Sequence, residues 1–203
     1  MIPLVKETVT TPTETATPER PMRADAARNR AKVLAAARET FAVEGLEAEV
    51  AAIADRAGVG VGTVYRHFPT KVALLTALTE DHFEKLGDIV EEASTQEGTA
   101  WDRIEAMVWA TAERTAGDSG MCEVLASKPK ESAGLPAAIR LRELTGRLVE
   151  EARVEGAIRD DATIDDIPMM MCGFGRIAAA QAGGSPMDWR RYLRLMLDGL
   201  HAR

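Results

Sequence analysis

From about residue 30 onward, apolar residues recur every three or four positions, which is the spacing of the buried stripe of an α-helix. Val33, Leu34, Ala37 and Phe41 form the first such stripe, and Gly45 ends it. The chain shows no strand-like alternation of apolar and polar residues and no internal repeat. The pattern therefore predicts an all-α protein of about nine helices.

The later helices follow at short intervals and are bounded by glycine, proline or a capping residue. The Phe68-Pro69 pair ends the third helix because a proline ring disfavours a helical residue before it. Thr70 is the expected N-cap of the fourth helix. We expect a loop over 128–136 and helices over 49–57, 61–68, 71–93, 99–116, 121–127, 136–156, 167–183 and 187–200.

Composition narrows the class of protein and its location. The 203 residues contain only 4% aromatics, and no apolar run reaches the roughly 18 residues of a membrane span. Residues 1–22 are rich in Thr, Pro and Glu, which predicts a disordered arm that either has no role or touches DNA.

Cys122 and Cys172 have no metal-type spacing and are expected in the core or a pocket. A cytoplasmic protein is the expectation.

The net charge of −7 is unevenly distributed along the chain. From residue 20 to residue 72 the chain has nine Lys or Arg and six Asp or Glu, a net of +3. From residue 73 to residue 203 the chain carries fifteen basic and twenty-three acidic residues, a net of −8. A basic N-terminal module on an acidic body is compatible with nucleic-acid binding, although +3 alone is a weak signal.

The stretch "AGVGVGTVYRHFPTK" raises two alternatives, a phosphate-binding nucleotide loop and a helix-turn-helix. A dinucleotide loop follows a strand and carries a third glycine, whereas here a helix precedes it and Thr63 takes the third position. A helix-turn-helix needs a short helix, a three- or four-residue turn and a second helix. This segment supplies those parts in order, with Val59 as the apolar residue of the turn. Val64 and Phe68 then face inward.

The same residues resemble the N-terminal DNA-binding domain of the TetR family of bacterial repressors. The matching frame runs from Arg30 to Lys71 without a gap and includes "AGV" and "GTVYRHFPTK". The resemblance implies a three-helix helix-turn-helix domain, at residues 23–70, followed by a six-helix ligand-binding and dimerisation domain, at residues 71–203. It further implies a homodimer on a double-stranded palindromic operator, with no cofactor. The DNA-contacting residues it indicates are Val61, Gly62, Thr63, Tyr65, Arg66, His67 and Lys71.

Two departures from the family pattern affect the expected DNA contacts. Glu49 stands where many members carry a threonine that caps the second helix and contacts phosphate. A carboxylate can cap a helix but repels phosphate. Val61 replaces a residue that is often polar, so we expect recognition by thymine-methyl contact and DNA shape.

The C-terminal body resembles the family only in its helical pattern. Its predicted role is therefore inferred from the positions of its apolar residues. Methionine and aromatic side chains serve equally in a core or in an adaptable apolar effector site. The residues predicted to contact a small, apolar effector are Met107, Trp109, Met121, Cys122, Met170 and Phe174. The last helices carry an apolar stripe suited to pairing two copies, with predicted interface residues Gly173, Trp189, Tyr192, Leu193, Met196 and Leu200.

Catalytic and metal motifs are absent from the sequence, so no enzyme is predicted. The sequence favours a DNA-binding repressor that is released from its operator by a small molecule. Two alternatives remain: a DNA-binding regulator with no effector, and a small-molecule binding module that no longer reads DNA.

Overall fold

The computed structural model describes residues 19–116, 118, 121, 124–125 and 129–202, with side chains from residue 25 onward except at 129 and 130. The described residues form nine α-helices: α1 (Glu19–Glu44), α2 (Val50–Ala57), α3 (Val61–His67), α4 (Lys71–Ser94), α5 (Ala100–Ala116), α6 (Pro129–Ala133), α7 (Pro136–Val154), α8 (Asp166–Ala182) and α9 (Trp189–Leu200). The all-α prediction is confirmed. None of these helices is long and apolar enough to cross a membrane.

Helix α1 begins at Glu19, inside the segment 1–22 that the sequence assigns to an arm. Pro21 does not interrupt it, because the first N–H groups of a helix have no intrahelical partner to lose. Residues 1–18 lie outside the described part of the chain. A short helix, α6, also occurs within the predicted loop over 128–136. The predicted helix over 121–127 is described only at Met121, Val124 and Leu125, which are helical.

The buried apolar residues divide into two clusters. The head cluster joins α1, α2, α3 and the start of α4, with Phe41, Ile53 and Val64 almost inaccessible to solvent. The body cluster joins the end of α4 to α5, α7, α8 and α9 around Ile104, Leu148 and Phe174. The chain therefore has a small N-terminal domain and a larger helical body with separate cores.

Helix α4 belongs to both clusters. Leu74 and Leu78 lie in the head cluster, whereas Val90 and Ala93 lie in the body cluster. Thr70 caps this helix, as predicted, by accepting a hydrogen bond from the N–H of Ala73 at 3.0 Å. Because one rigid helix carries both cores, α4 is the main covalent and structural link between head and body.

Candidate nucleic-acid interface

The turn between α2 and α3 is closed by backbone hydrogen bonds. Gly58 takes the left-handed conformation, φ 66° and ψ 35°, that ends α2. The N–H of Gly58 donates to Asp55 O at 3.1 Å and that of Val59 to Ala54 O at 3.1 Å. Val59 packs against the head cluster, which holds the two helices at a fixed angle. This is the turn that the sequence predicts.

Helix α3 is held by one face and leaves the other to solvent. Val64 and Phe68 are buried, at 1% and 4% exposure. Val61 and Tyr65 are 39% and 46% exposed, although both are large and apolar or aromatic. Side chains of this kind on an outward face are available for contact with a partner surface.

None of the polar residues predicted for this surface is buried. Arg66 is exposed, while Thr63, His67 and Lys71 are partly exposed at the two ends of α3 and the start of α4. The described structure gives Arg66 and Lys71 no carboxylate partner. By contrast, the arginine at position 56 of the head is paired with Glu39 at 3.3 Å.

Gly62 has no packing reason to be glycine. A Cβ atom added there would meet nothing within 4 Å, and its backbone is in ordinary helical geometry. Alanine would normally be favoured over glycine at such a helical position. The absence of a side chain therefore keeps the outward surface of α3 low, which suits the close approach of another backbone.

Sequence reasoning did not single out Arg30 as a member of this surface. Its guanidinium lies over the ring of Phe68, 5.5 Å from the ring centroid, and so places a cation beside the C-terminal end of α3. The sequence gives no signal for this contact, because the two residues are 38 positions apart. Glu49 stands at the N-cap of α2, and its side chain makes no capping hydrogen bond.

Comparison with known proteins decides the family. Residues 33–78 match "Bacterial regulatory proteins, tetR family", and residues 108–202 match "Transcriptional regulator SbtR-like, C-terminal domain". A TetR transcription regulatory protein from Mycobacterium vanbaalenii is 34% identical, with a TM-score of 0.64, over 90% of this chain and 100% of that one. The chain belongs to the TetR family. It is a DNA-binding transcriptional regulator with a helix-turn-helix.

Two further relatives show how the similarity is distributed along the chain. The TetR regulator SCO0520 from Streptomyces coelicolor is 30% identical, with a TM-score of 0.59, over 85% of this chain and 98% of its own. The repressor KstR from Mycolicibacterium smegmatis is 42% identical over 65 residues. That match spans about a third of the length of either protein, 32% of this chain and 32% of KstR.

In this TetR-family body, the residues predicted to contact an effector fall into two separate places. Met107, Met170 and Phe174 are buried in the body cluster, and Trp109 packs against it while partly exposed. Met121 is buried in the head cluster instead, and Cys122 lies outside the described residues. Two open surface grooves, one of about 580 Å³ along α7, are lined mainly by charged residues and by none of the predicted effector residues.

The predicted dimer stripe on α9 is used largely within its own chain. Trp189, Leu193 and Leu200 are buried in the body cluster, so they present no face to a second copy. Tyr192 and Met196 are partly exposed at its edge. A Cβ atom at Gly173 would overlap the Tyr192 hydroxyl, so this glycine allows α8 and α9 of one chain to approach each other.

Helices α8 and α9 nevertheless expose a second set of residues that the sequence analysis did not assign to the dimer interface. One of them is Cys172, and its expected place in the core or a pocket is wrong because it lies on the outward face of α8. Met169 and Leu195 are 65% and 57% exposed, and Cys172 and Arg176 are exposed beside Met169 on α8. Apolar side chains this exposed on the last two helices are available for contact with a partner surface. Helical periodicity could have found them, had the buried stripe been assigned first.

Proposed function

We propose that this protein is a homodimeric repressor that binds a palindromic operator through α3 and leaves it when a small molecule binds the body. The observation that carries the proposal is the outward face of α3. Its exposed residues contribute nothing to the head cluster, while Val64 and Phe68 on the opposite face fix the helix rigidly. A side-chain set of this kind is explained by an external partner, and in this family that partner is DNA.

The proposed contacts divide between base edges and phosphates. Val61, Gly62 and Thr63, at the N-terminal end of α3, face bases or the adjacent backbone, as the leading residues of a recognition helix do. Tyr65, His67 and Lys71 supply donors to phosphate oxygens, and Arg66 serves either purpose. The Arg30 guanidinium, which has no carboxylate partner among the described side chains, is added to the phosphate contacts, since Phe68 holds it beside the same end of α3.

We place the dimer contact on the exposed surface of α8 and α9 rather than on the buried stripe. Met169 and Leu195 provide its apolar area, with Tyr192 and Met196 at the edge. Packing two such helix pairs gives a four-helix arrangement with twofold symmetry. The two α3 helices of the dimer then enter successive major grooves, roughly 34–36 Å apart.

The proposed effector enters the body between α5 and α8, near Met107, Trp109, Met170 and Phe174. Met107 and Phe174 are closely packed in the described state, so an effector must displace them, and flexible methionines make that displacement feasible. Release of DNA requires that the effector binds the non-DNA conformation more tightly, and the coupling is then reciprocal.

Fluorescence anisotropy with DNA from upstream of the protein's own gene tests operator binding. We expect sequence-preferring binding that weakens with salt and is reduced in Tyr65→Phe. If a genome-wide selection of bound fragments returns no preferred site, the protein is a small-molecule binding module without an operator. If DNA binds but no compound in an effector screen releases it, the protein is a DNA-binding regulator with no effector.

A further inference from the structure

Between the head cluster and the body cluster lies a group of charged and polar residues that the proposed function has not used. We call it the polar seam, and its members are Arg38, Asp81, His82, Lys85, Arg114 and Asp118. On the buried stripe of α4, His82 follows Leu78 of the head cluster and precedes Val90 of the body cluster. The seam therefore interrupts the apolar packing where the two domains meet.

Two ion pairs connect the head to the rest of the chain across this seam. An Arg38 nitrogen of α1 donates to Asp81 Oδ2 of α4 at 2.7 Å, and Lys85 lies 2.6 Å from the same carboxylate. The Nε of Arg38 lies 2.8 Å from Asp118 Oδ2, beyond the end of α5, as an ionic contact without hydrogen-bond alignment. Asp118 is only 6% exposed.

The positive charge of the seam exceeds its negative charge by one. Arg38 and Lys85 are matched by Asp81 and Asp118, whereas Arg114 has no carboxylate partner among the described residues. Arg114 is nonetheless the charge that lowers the pKa of His82 most strongly, and it lies on α5, which packs against α4. A partly buried, unmatched guanidinium is costly unless an anion compensates it.

The same place contains buried polar atoms without hydrogen-bond partners. In the polar seam they are Nε of Arg38, Nδ1 of His82, Nε of Arg114 and Oδ1 of Asp118. His82 is 2% exposed, and burial together with the charges of Arg114 and Arg38 lowers its pKa to about 4, so its imidazole is neutral at pH 7. A neutral imidazole with its proton on Nδ1 and an arginine Nε–H are two donors suited to one acceptor group.

We propose that the seam is a binding site for a carboxylate, held by Arg114 and His82, and that the effector is an amphipathic carboxylic acid. A carboxylate supplies both the missing charge and the missing acceptors, and charge-assisted hydrogen bonds of this kind are strong. Met107 lies seven residues, or about 10 Å, before Arg114 on the same face of α5. The apolar part of the acid extends from Arg114 toward Met107. This inference rests on the proposed effector function and specifies the ligand of that site.

Binding at this place has a direct structural consequence for the head. A carboxylate beside Arg114 and His82 adds a negative charge next to Asp118. It competes with Asp118 and Asp81 for Arg38, which is the cation that ties α1 to both of them. Weakening these ion pairs loosens the attachment of the DNA-reading domain to the body.

The test uses the full-length protein and imidazole ¹H–¹⁵N correlation spectra, in which the three histidines are assigned with His82→Gln. Formate, octanoate and octan-1-ol are titrated separately, with sodium chloride at equal ionic strength as reference. We expect formate and octanoate to shift the His82 Nδ1 resonance saturably, octanoate at lower concentration, while octan-1-ol and chloride do not. If neither carboxylate shifts it beyond the chloride effect, the carboxylate site is overturned.

Variants separate the proposed contact from a general effect of charge. Arg114→Met should raise the Kd for octanoate roughly tenfold or more, whereas Arg147→Met, an exposed arginine on α7, should leave it unchanged. Equal binding by wild type and Arg114→Met overturns the site. Equal affinities of formate and octanoate support a small-anion site and overturn the amphipathic acid.

Operator release is measured separately, so that the two proposals fail in different ways. Octanoate that shifts His82 without releasing DNA supports the carboxylate site and contradicts effector release by this ligand class. A compound that releases DNA without shifting His82 supports effector release and overturns the seam as its binding site.

Discussion

The head and the body of this protein use their conspicuous residues in opposite ways. In the head, the residues that stand out in the sequence, Val61, Gly62 and Tyr65, are exposed and add nothing to the head cluster. In the body, the residues that stand out, Phe174, Trp189 and Leu193, are buried in the protomer's own core. An unusual residue therefore indicates function only where a local motif fixes the direction of its side chain.

The largest expected effect is a loss of stability when a buried residue of the body is truncated. Phe174→Ala should lower the free energy of unfolding by about 3–5 kcal/mol, because it removes a fully buried ring that contacts Trp189 at 5.2 Å between centroids. Urea denaturation at fixed protein concentration measures the loss. Operator affinity of the folded fraction should change little. A loss below about 1 kcal/mol would instead indicate that the ring lines a space that an effector fills.

The next effect concerns His82 at the boundary of the two regions. Its pKa of about 4 in the folded protein is below the 6.5 of an unfolded histidine, so the unfolded chain binds the proton first as the pH falls. Stability that is fully present above pH 6.5 should decrease toward pH 4 by about 3 kcal/mol. His82→Gln should flatten this dependence in urea denaturation at a series of pH values.

The carboxylates near His82 also change how stability depends on pH, mainly at the lowest pH values. Burial raises the pKa of Asp118, so its protonation favours the folded state and opposes the effect of His82. The pKa of Asp81 is lowered, because hydrogen bonds from Lys85 and Arg38 outweigh the effect of burial. Asp81 therefore adds to the loss of stability below pH 4. An unchanged pH dependence in His82→Gln would assign the whole effect to these carboxylates.

In the head, Lys71→Ala should affect DNA binding and leave stability nearly unchanged. Loss of one phosphate contact per subunit should raise the Kd for the operator roughly tenfold. It should also make the slope of log K against log salt shallower by about 2 for the dimer. Arg153→Ala on α7, which removes a distant exposed cation, is the control for net charge. An unaltered salt slope in Lys71→Ala would exclude this residue from the interface.

The smallest expected effect is that of Gly62→Ala, which should change stability and operator binding in opposite directions. Gly62→Ala should raise the free energy of unfolding by about 0.5 kcal/mol, since alanine favours the helix and its methyl group meets nothing within 4 Å. The same methyl group should weaken operator binding, because it occupies the surface that approaches the DNA backbone. A stabilised Gly62→Ala with full DNA affinity would refute close approach at α3.

The sequence predicted the helix-turn-helix because its determinants are local. Gly58, Val59 and Val64 lie within seven positions of one another, and their spacing alone specifies the turn and the buried face of α3. The same holds for the helix bounds set by Pro69 and Thr70. The coarse fold, a small helical head followed by a helical body, could be inferred for the same reason.

Contacts between distant segments could not be inferred in this way. The stripe on α9 is equally suited to a core and to a dimer, and only the position of α8 shows that Leu193 is internal. Arg38 pairs with Asp81 and Asp118, 43 and 80 positions away, and no periodicity indicates such pairs. Helical periodicity therefore could not reveal the charges around His82.

Because α4 packs into two separate cores, a tilt of this one helix moves the head relative to the body. It is 24 residues long, about 36 Å, and His82 lies eleven residues, about 16 Å, from its first residue, Lys71. If α4 tilts by about 10° around the polar seam, Lys71 moves by roughly 3 Å, because it lies about 16 Å from His82 along the helix. That displacement equals the length of a hydrogen bond, and the two subunits of a dimer double it. In the proposed dimer, a rearrangement of charges that tilts α4 by this amount would take both DNA-reading helices out of register with the operator.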